Sequence, residues 1–379
     1  MRRRNKLLLG SLGVLAAAGV VFAVALSRDA ACPPAAALAE TGDSMQAIRM
    51  HCYGGAEALR LEQVPRPVPA EGELLVRVRA AGVNPLDWHY LHGKPYVMRL
   101  SSGFGRPENP RAGVDFAGTV EAVGSAVDGF KPGDRVFGAA SGAFAEYVVV
   151  GASQTVVQMP DNIDFEQAAA VPIAAITALQ ALRDAGGLQP GQKVLINGAS
   201  GGVGTFAVQI AKALGAEVTG VSSARNTELV RSLGADHAID YAQEDFTRGG
   251  PRYDLVIDNV GNHPVAALRA ALKPEGTLVM VTGPKDNPWI GPLGRVLATR
   301  LTASFASQTQ VTLFASANKD DLAVLRTMLE DGSVRPVIDR RFPLDQVPQA
   351  IEYLEQGRTR GKSLITMGDT SRPQGSWPR

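Results

Sequence analysis

The hydrophobic and polar positions change rhythm along the chain, and the sharpest change lies near its middle. Lys193-Val194-Leu195-Ile196 is an apolar, β-branched run. Gly198, Gly201, Gly202 and Gly204 then crowd a short stretch. Apolar residues next recur at Val203, Phe206, Ala207, Ile210, Ala211 and Leu214. This pattern predicts a short buried strand, a sharp turn and an amphipathic helix ended by Gly215. The alternation continues downstream. Strands are expected at Val218–Val221, Ala238–Tyr241, Leu255–Asp258 and Thr277–Val281, with a helix at Glu228–Leu233 closed by Gly234. An apolar helix over Ala168–Leu182, with Pro172 near its start, precedes them. Strands alternating with helices predict a parallel sheet covered on both faces.

Upstream the rhythm is that of short strands. Leu74–Ala80 begins apolar and then alternates, and Asp115–Gly124 carries small residues for close backbone approach. Lys131–Gly138 is a turn feeding a strand, and Phe144–Val150 follows. Such strands with turn signals predict a compact β-barrel. From Ala315 the chain is expected to return to this first domain. A helix is predicted at Lys319–Glu330, a strand at Val334–Asp339, a helix at Leu344–Glu355 and a closing segment at Gly361–Met367. The expected divisions are therefore 1–45, 46–167, 168–314, 315–367 and a disordered tail over 368–379.

The N-terminal stretch reads differently. Arg2, Arg3, Arg4 and Lys6 precede an uncharged run from Leu7 to Leu26. As a helix, twenty such residues would extend ~30 Å, about one hydrocarbon core. An uncleaved single-pass membrane anchor is expected, with the basic cluster on the cytoplasmic side. A cleaved export signal is the alternative, since Ala23-Val24-Ala25 and Ala37-Leu38-Ala39 both look like cleavage sites. Pro33–Ser44 reads as a flexible tether.

Composition narrows the function. Lys and Arg number 38 against 37 Asp and Glu, so no nucleic-acid or other polyanion partner is indicated. The 379 residues contain two cysteines, Cys32 and Cys52, which argue for neither a disulfide framework nor a cysteine-built zinc site. Strand, glycine turn and helix together form a geometry suited to a pyrophosphate. An NAD-specific site usually places an acid ~20 residues beyond the turn, against the ribose 2′-hydroxyl. Here the second strand ends in Ser222-Ser223-Ala224-Arg225-Asn226. Hydroxyls and a guanidinium suit a 2′-phosphate, so NADPH is the expected cofactor.

Gly191, Gln192, Leu195, Ala199, Ser200, Gly201, Gly202, Gly204, Gln209 and Lys212 form a long match. It resembles the quinone oxidoreductase/zeta-crystallin signature of the zinc-free medium-chain dehydrogenase/reductase superfamily. The resemblance extends over Ala47 to Met367. It implies an α/β architecture: a GroES-like β-barrel catalytic domain joined to a doubly wound Rossmann domain. The N-terminal hydrophobic helix would precede both. The resemblance also implies a cofactor cleft built by Ser200, Gly201, Gly202, Val203, Thr177, Asn259, Val281, Thr282 and Lys362, with Ser222, Ser223, Arg225 and Tyr241 around the 2′-phosphate. A homodimer is expected.

Zinc-dependent relatives carry Cys and His where this chain has Asn84, Pro85 and Val114. These residues cannot supply the N/S donors zinc requires, so catalytic zinc is not expected. Without a Lewis acid, alcohol oxidation is disfavoured. Hydride transfer to a quinone or α,β-unsaturated carbonyl fits better. Around the acceptor, Asn84 is the candidate for holding a carbonyl oxygen, Tyr90 for donating a proton and Trp88 for stacking on an aromatic acceptor. Asp87 reads as a turn residue. The long link from His89 to Arg111 is a candidate lip over the substrate, a membrane contact or a packing insertion. Two further readings stand beside quinone reduction: an alkenal or enone double-bond reductase, and a tethered NADPH-binding scaffold or sensor without turnover.

Overall fold

The computed structural model describes residues 19–34, 43–250, 252–281, 288–289 and 307–368. The chain order begins with an antiparallel hairpin, β1 (Ser44–Met50) and β2 (Leu59–Pro65). The main sheet of the first domain follows: β3 (Glu73–Gly82), β4 (Asp115–Val123), β5 (Arg135–Ala139), β6 (Tyr147–Gly151) and β7 (Val156–Gln158). Two late strands, β14 (Ile338–Pro343) and β15 (Lys362–Thr366), complete it, in the order β14-β15-β3-β4-β5-β7 with β6 also paired to β3. Bridges from Ala47 to Ala145 and from Arg49 to Arg111 fold the hairpin onto this sheet. Late in the chain, β15 pairs antiparallel with the C-terminal end of β3, Leu364 opposite Gly82.

The second sheet contains β8 (Lys193–Asn197), β9 (Glu217–Ser222), β10 (His237–Asp240), β11 (Tyr253–Asp258), β12 (Leu272–Met280) and β13 (Thr309–Thr312). Its order is β10-β9-β8-β11-β12-β13, all parallel. That order reverses direction beside β8, the position where ligands of doubly wound sheets bind. Side chains on β8 alternate faces as a strand requires. Val194 and Ile196 join one buried cluster, and Leu195 joins another with Val221, Val256 and Leu278. The first of these clusters crosses between the sheets, since Ala80, Ala117 and Phe137 share it with Ile176, Phe206 and Leu325.

The apolar run expected as one helix over Ala168–Leu182 is three pieces. They are α3 (Phe165–Ala169), α4 (Pro172–Leu179) and a π-helical turn at Gln180–Ala185. Pro172 lacks an N–H and fits only the first turn of a helix, so it separates α3 from α4. Asp164 caps α3 by accepting from Gln167 N at 2.7 Å. The strand expected at Val334–Asp339 lies later, at Ile338–Pro343.

The N-terminal segment departs from expectation. Among the described residues no helix is long and apolar enough to cross a membrane. Residues 19–27 are helical, and the chain after them docks on the first domain. Leu26 is buried. Ala30 N donates to Gly105 O at 2.8 Å, and Arg60 Nη1 donates to Pro33 O at 3.0 Å. Cys32 and Cys52 form a disulfide, so the two cysteines do staple the chain. The membrane anchor is therefore not supported. Hydropathy along the sequence cannot register that a partner surface exists for residues 26–33. The remainder of the uncharged run, the tether over 35–42 and the tail over 369–379 lie outside the described residues.

Candidate active site

The glycine turn leads directly into α5 (Gly202–Ala213). Gly198 adopts φ +80°, open to glycine at little cost. A Cβ on Gly204 would run into the Gly198 carbonyl oxygen, so the turn can close this tightly only with glycine there. Gly201 is the N-cap in extended conformation, and no side chain caps the helix. The first N–H groups of α5 are thus left to a ligand, and the positive end of the helix dipole faces the same way. These features fit a dinucleotide pyrophosphate.

Around this turn the structure gathers several of the expected residues. Ser200 Oγ accepts from Asn226 Nδ2 at 3.0 Å, and Ser200 O accepts from Gly361 N at 2.9 Å. Val203 occupies the first turn of α5, half-buried. Ser222, at the end of β9, is buried, and its carbonyl accepts from Tyr241 N at 3.1 Å. Ser223 follows, half-buried; Arg225 is exposed and donates to Arg358 O at 3.3 Å. The Tyr241 side chain is exposed. The ends of β9 and β10 therefore present Ser222, Ser223, Arg225 and Tyr241 in one neighbourhood.

At the ends of β8 and β11, Asn197 Nδ2 donates to Asp258 Oδ1 at 2.9 Å. Asn259 Nδ2 donates to Asn197 O at 3.1 Å, and Val281 N donates to Asp258 O at 3.0 Å. Asn259 Oδ1 and Asp258 Oδ2 are buried with no partner in the protein. Such orphaned acceptors at strand C-termini mark a polar face turned toward a ligand. Thr177 is buried on α4, and its hydroxyl donates to Ile173 O at 2.6 Å. Thr282 lies outside the described residues.

A buried charged network joins the two domains. Lys362, on β15, is 3% exposed. A Cβ on Gly202 would lie 3.2 Å from Lys362 Cδ, so the lysine stem rests against the helix start. Its ammonium donates to Val83 O at 2.9 Å and to Asn84 Oδ1, and lies 3.7 Å from Asp115 Oδ2. Asn84 Nδ2 donates to Asp115 Oδ2 at 2.9 Å, and Ile173 N donates to Asp115 Oδ1 at 3.1 Å. Asn84 N donates to Asp87 Oδ2 at 2.8 Å, while Asp87 Oδ1 is buried without a partner. Burial pushes the Asp115 carboxyl up, opposed by Lys362, and burial pushes the Lys362 ammonium down. Burial, reinforced by the Asp115 charge, raises Asp87 to about 7.

This geometry reassigns three residues. Asn84, expected to hold a substrate carbonyl, is 1% exposed, and its amide is engaged by Asp115 and Lys362. It sits behind the cleft and organises the network. Trp88, expected to stack on an acceptor, packs with the first domain's core, its ring 4.5 Å from His92 and 4.9 Å from His89. It faces away because helix α1 (Pro85–His92) turns it toward that core. Asp87 is not a loop residue: it is the third residue of α1, where it completes a capping box with Asn84. Asp115 and Asp258 were missed as site residues. Asp115 begins β4 before Phe116-Ala117 and Asp258 ends β11 after Leu255-Val256-Ile257, and an acid at the edge of such an apolar run is the signal that could have exposed them.

Beside the network opens a cleft of about 1150 Å³, bordered by Asp87, Tyr90, Arg111, Phe144, Ile173 and Asn318 among others. Tyr90, the candidate proton donor, is 39% exposed and lines it. Ser101, Ser102 and residues 107–109 of the long link form part of its wall. Behind that wall Arg99 is 1% exposed. Its guanidinium pairs with Asp29 at 2.7 Å, donates to Leu26 O at 3.2 Å and stacks 4.2 Å from the Tyr53 ring. Tyr53 Oη donates to Gly103 O at 2.8 Å, carrying the support of the N-terminal segment to the cleft wall.

The description "Alcohol dehydrogenase GroES-like domain" matches residues 70–161, and "Zinc-binding dehydrogenase" matches residues 233–365. The residues at the centre of this site do not fit a zinc ion. The positions offer Asn84, Pro85 and Val114, and the ammonium of Lys362 already stands among the available oxygens. Among the described residues no group of three or more His, Cys, Asp or Glu is placed to hold a metal. A quinone oxidoreductase of Pseudomonas aeruginosa is 36% identical over 84% of this chain and 98% of its own length. The solved quinone oxidoreductase of Coxiella burnetii is 32% identical, with a TM-score of 0.75 over 86% of this chain and 99% of that one. A mycobacterial structure complexed with NADPH is 28% identical, with a TM-score of 0.71 over 85% of this chain and 100% of that one. With a GroES-like domain, a parallel nucleotide-binding sheet and relatives of this similarity, the chain belongs to the quinone oxidoreductases of the medium-chain dehydrogenase/reductase superfamily and is an oxidoreductase.

Proposed function

We propose that the protein transfers hydride from NADPH to a quinone or a related α,β-unsaturated carbonyl, without a metal. The observation that carries the cofactor choice is the end of β9. No carboxylate stands there to bind a ribose 2′-hydroxyl, and Ser222, Ser223, Arg225 and Tyr241 lie together instead. A guanidinium with hydroxyls recognises a phosphate by charge-assisted hydrogen bonds. The unpaired N–H groups at Gly202 and Val203 would hold the pyrophosphate. Thr177, Asn259, Val281, Thr282 and Lys362 would surround the nicotinamide end. When bound, the nicotinamide supplies the hydride; the protein orients it, excludes water and manages a proton.

The acceptor class follows from the network. Lys362 is engaged by Val83, Asn84 and Asp115 and does not replace a Lewis acid over an alkoxide. Acceptors with low-lying empty orbitals need no such help. Stopped-flow oxidation of NADPH across a panel of quinones and enones tests the reading and separates quinone from double-bond reduction. Protein that binds NADPH tightly yet oxidises it with no acceptor would leave a cofactor-binding protein without turnover.

A further inference from the structure

We infer that Asp87 is the proton donor to the reduced acceptor, a role that rests on the hydride-transfer reading above. Four observations converge on it. Asp87 borders the cleft, yet is 7% exposed. Its Oδ2 is occupied as the helix cap of α1, accepting from Asn84 N. Its Oδ1 is buried and has no partner in the protein. The positive charge nearest the network is engaged elsewhere, by Val83, Asn84 and Asp115.

An ionised carboxylate with one oxygen unpaired in such a place is costly. Protonation removes that charge, and the side chain that carries the proton borders the cleft. The surrounding charges agree. From β4, Asp115 faces Asp87 as a like charge; from β15, Lys362 opposes that effect but is drawn to Asp115. On α1 itself, Tyr90 lines the cleft, His89 Nδ1 is hydrogen-bonded to Lys94 O at 2.7 Å, and His92 pairs with Glu355 at 2.9 Å. Glu355 belongs to α9 (Val347–Glu355), which packs on α1.

The step balances. Hydride adds to the acceptor, and the displaced electron pair ends on its oxygen. That oxygen forms a bond to the Asp87 proton as the Asp87 O–H bond breaks. A quinone becomes a hydroquinone, and an enone becomes its enol before tautomerising. The Asp87 carboxylate recovers a proton from water through the open cleft.

Two measurements test the role. Carboxyl-carbon NMR of the full chain should show one aspartate titrating near neutrality, and that signal should vanish in Asp87→Asn. An Asp87 that titrates in the ordinary carboxylate range overturns the inference. In turnover, wild-type kcat should fall as pH rises through neutrality, with a solvent isotope effect. Asp87→Asn retains an oxygen for the Asn84 N–H, so the cap survives. Its kcat should drop ~100-fold and lose this pH limb, with NADPH affinity within about twofold of wild type. Retention of the limb in Asp87→Asn, or its transfer to Tyr90→Phe, overturns the inference and leaves hydride transfer standing. No wild-type turnover with any acceptor removes the hydride-transfer reading, and the Asp87 role falls with it.

Discussion

Lys362 shows how one side chain can hold two domains to one chemistry. Its stem touches the start of the phosphate-binding helix, and its ammonium neutralises Asp115 in the other domain. Removing one partner of a buried pair costs ~3–5 kcal/mol, because the remaining charge is stranded. Lys362→Met should therefore lower the unfolding free energy by an amount of that order, read from the urea midpoint and slope. The sign of its pH dependence follows. Without the lysine, the folded Asp115 carboxyl rises further above its unfolded value. Such a group contributes stability below the unfolded value and loses it as pH rises through the folded one. The variant should recover toward wild-type stability as pH falls, measured by chemical denaturation at several pH values.

The cofactor preference proposed for Arg225 is tested at the same scale. Arg225→Glu should weaken NADPH ~10-fold or more, the worth of a hydrogen bond to a charged group, and NADH far less. Fluorescence titration with both cofactors reads this directly. Equal losses for the two would remove the 2′-phosphate assignment. Gly202→Asp sets a carboxylate at the α5 N-terminus and a Cβ 3.2 Å from Lys362 Cδ. It should abolish binding of both cofactors.

At the scale of elements, the segment through residues 26–33 acts as a strap. It meets the long link between α1 and β4 through Asp29, Arg99 and Gly105, and the Cys32–Cys52 disulfide closes it. Closing a loop of ~15 residues with a disulfide is worth ~3 kcal/mol through the unfolded chain. The separation here is 20 residues. Cys32→Ser should lower the thermal midpoint accordingly and speed amide exchange at Ser101 and Ser102 in the cleft wall. Exchange there unchanged from wild type would separate the strap from the cleft. A run of apolar residues after basic ones carries no record of Arg99, seventy positions away, waiting for Asp29. That is why the N-terminal segment was misread, and why the two cysteines were left unpaired. Helix breaks were more legible: Pro172 was seen near the start of an apolar run, but its power to divide α3 from α4 was not applied.

For the whole molecule, one buried core is shared between the two sheets. Ala80, Ala117 and Phe137 of one sheet pack in the same cluster as Ile176 and Phe206, which cover the other. Binding should therefore stabilise the molecule as a unit. At 100 times Kd, NADPH should add ~2.7 kcal/mol and raise the melting midpoint, with NADH at equal concentration adding less. Differential scanning fluorimetry measures this without any turnover.

The α/β class, the glycine turn, the missing acid after β9 and the return of the chain to its first domain were all decided by sequence alone. Each rests on local periodicity or on residue types at short spacing, which a chain carries wherever it folds. Tertiary structure decided the rest. Only packing could turn Asn84 and Trp88 inward, place Lys362 between Asn84 and Asp115, leave one oxygen of Asp87 buried without a partner and lay residues 26–33 against Arg99. These outcomes depend on burial and on partners distant in sequence, and no local pattern encodes either.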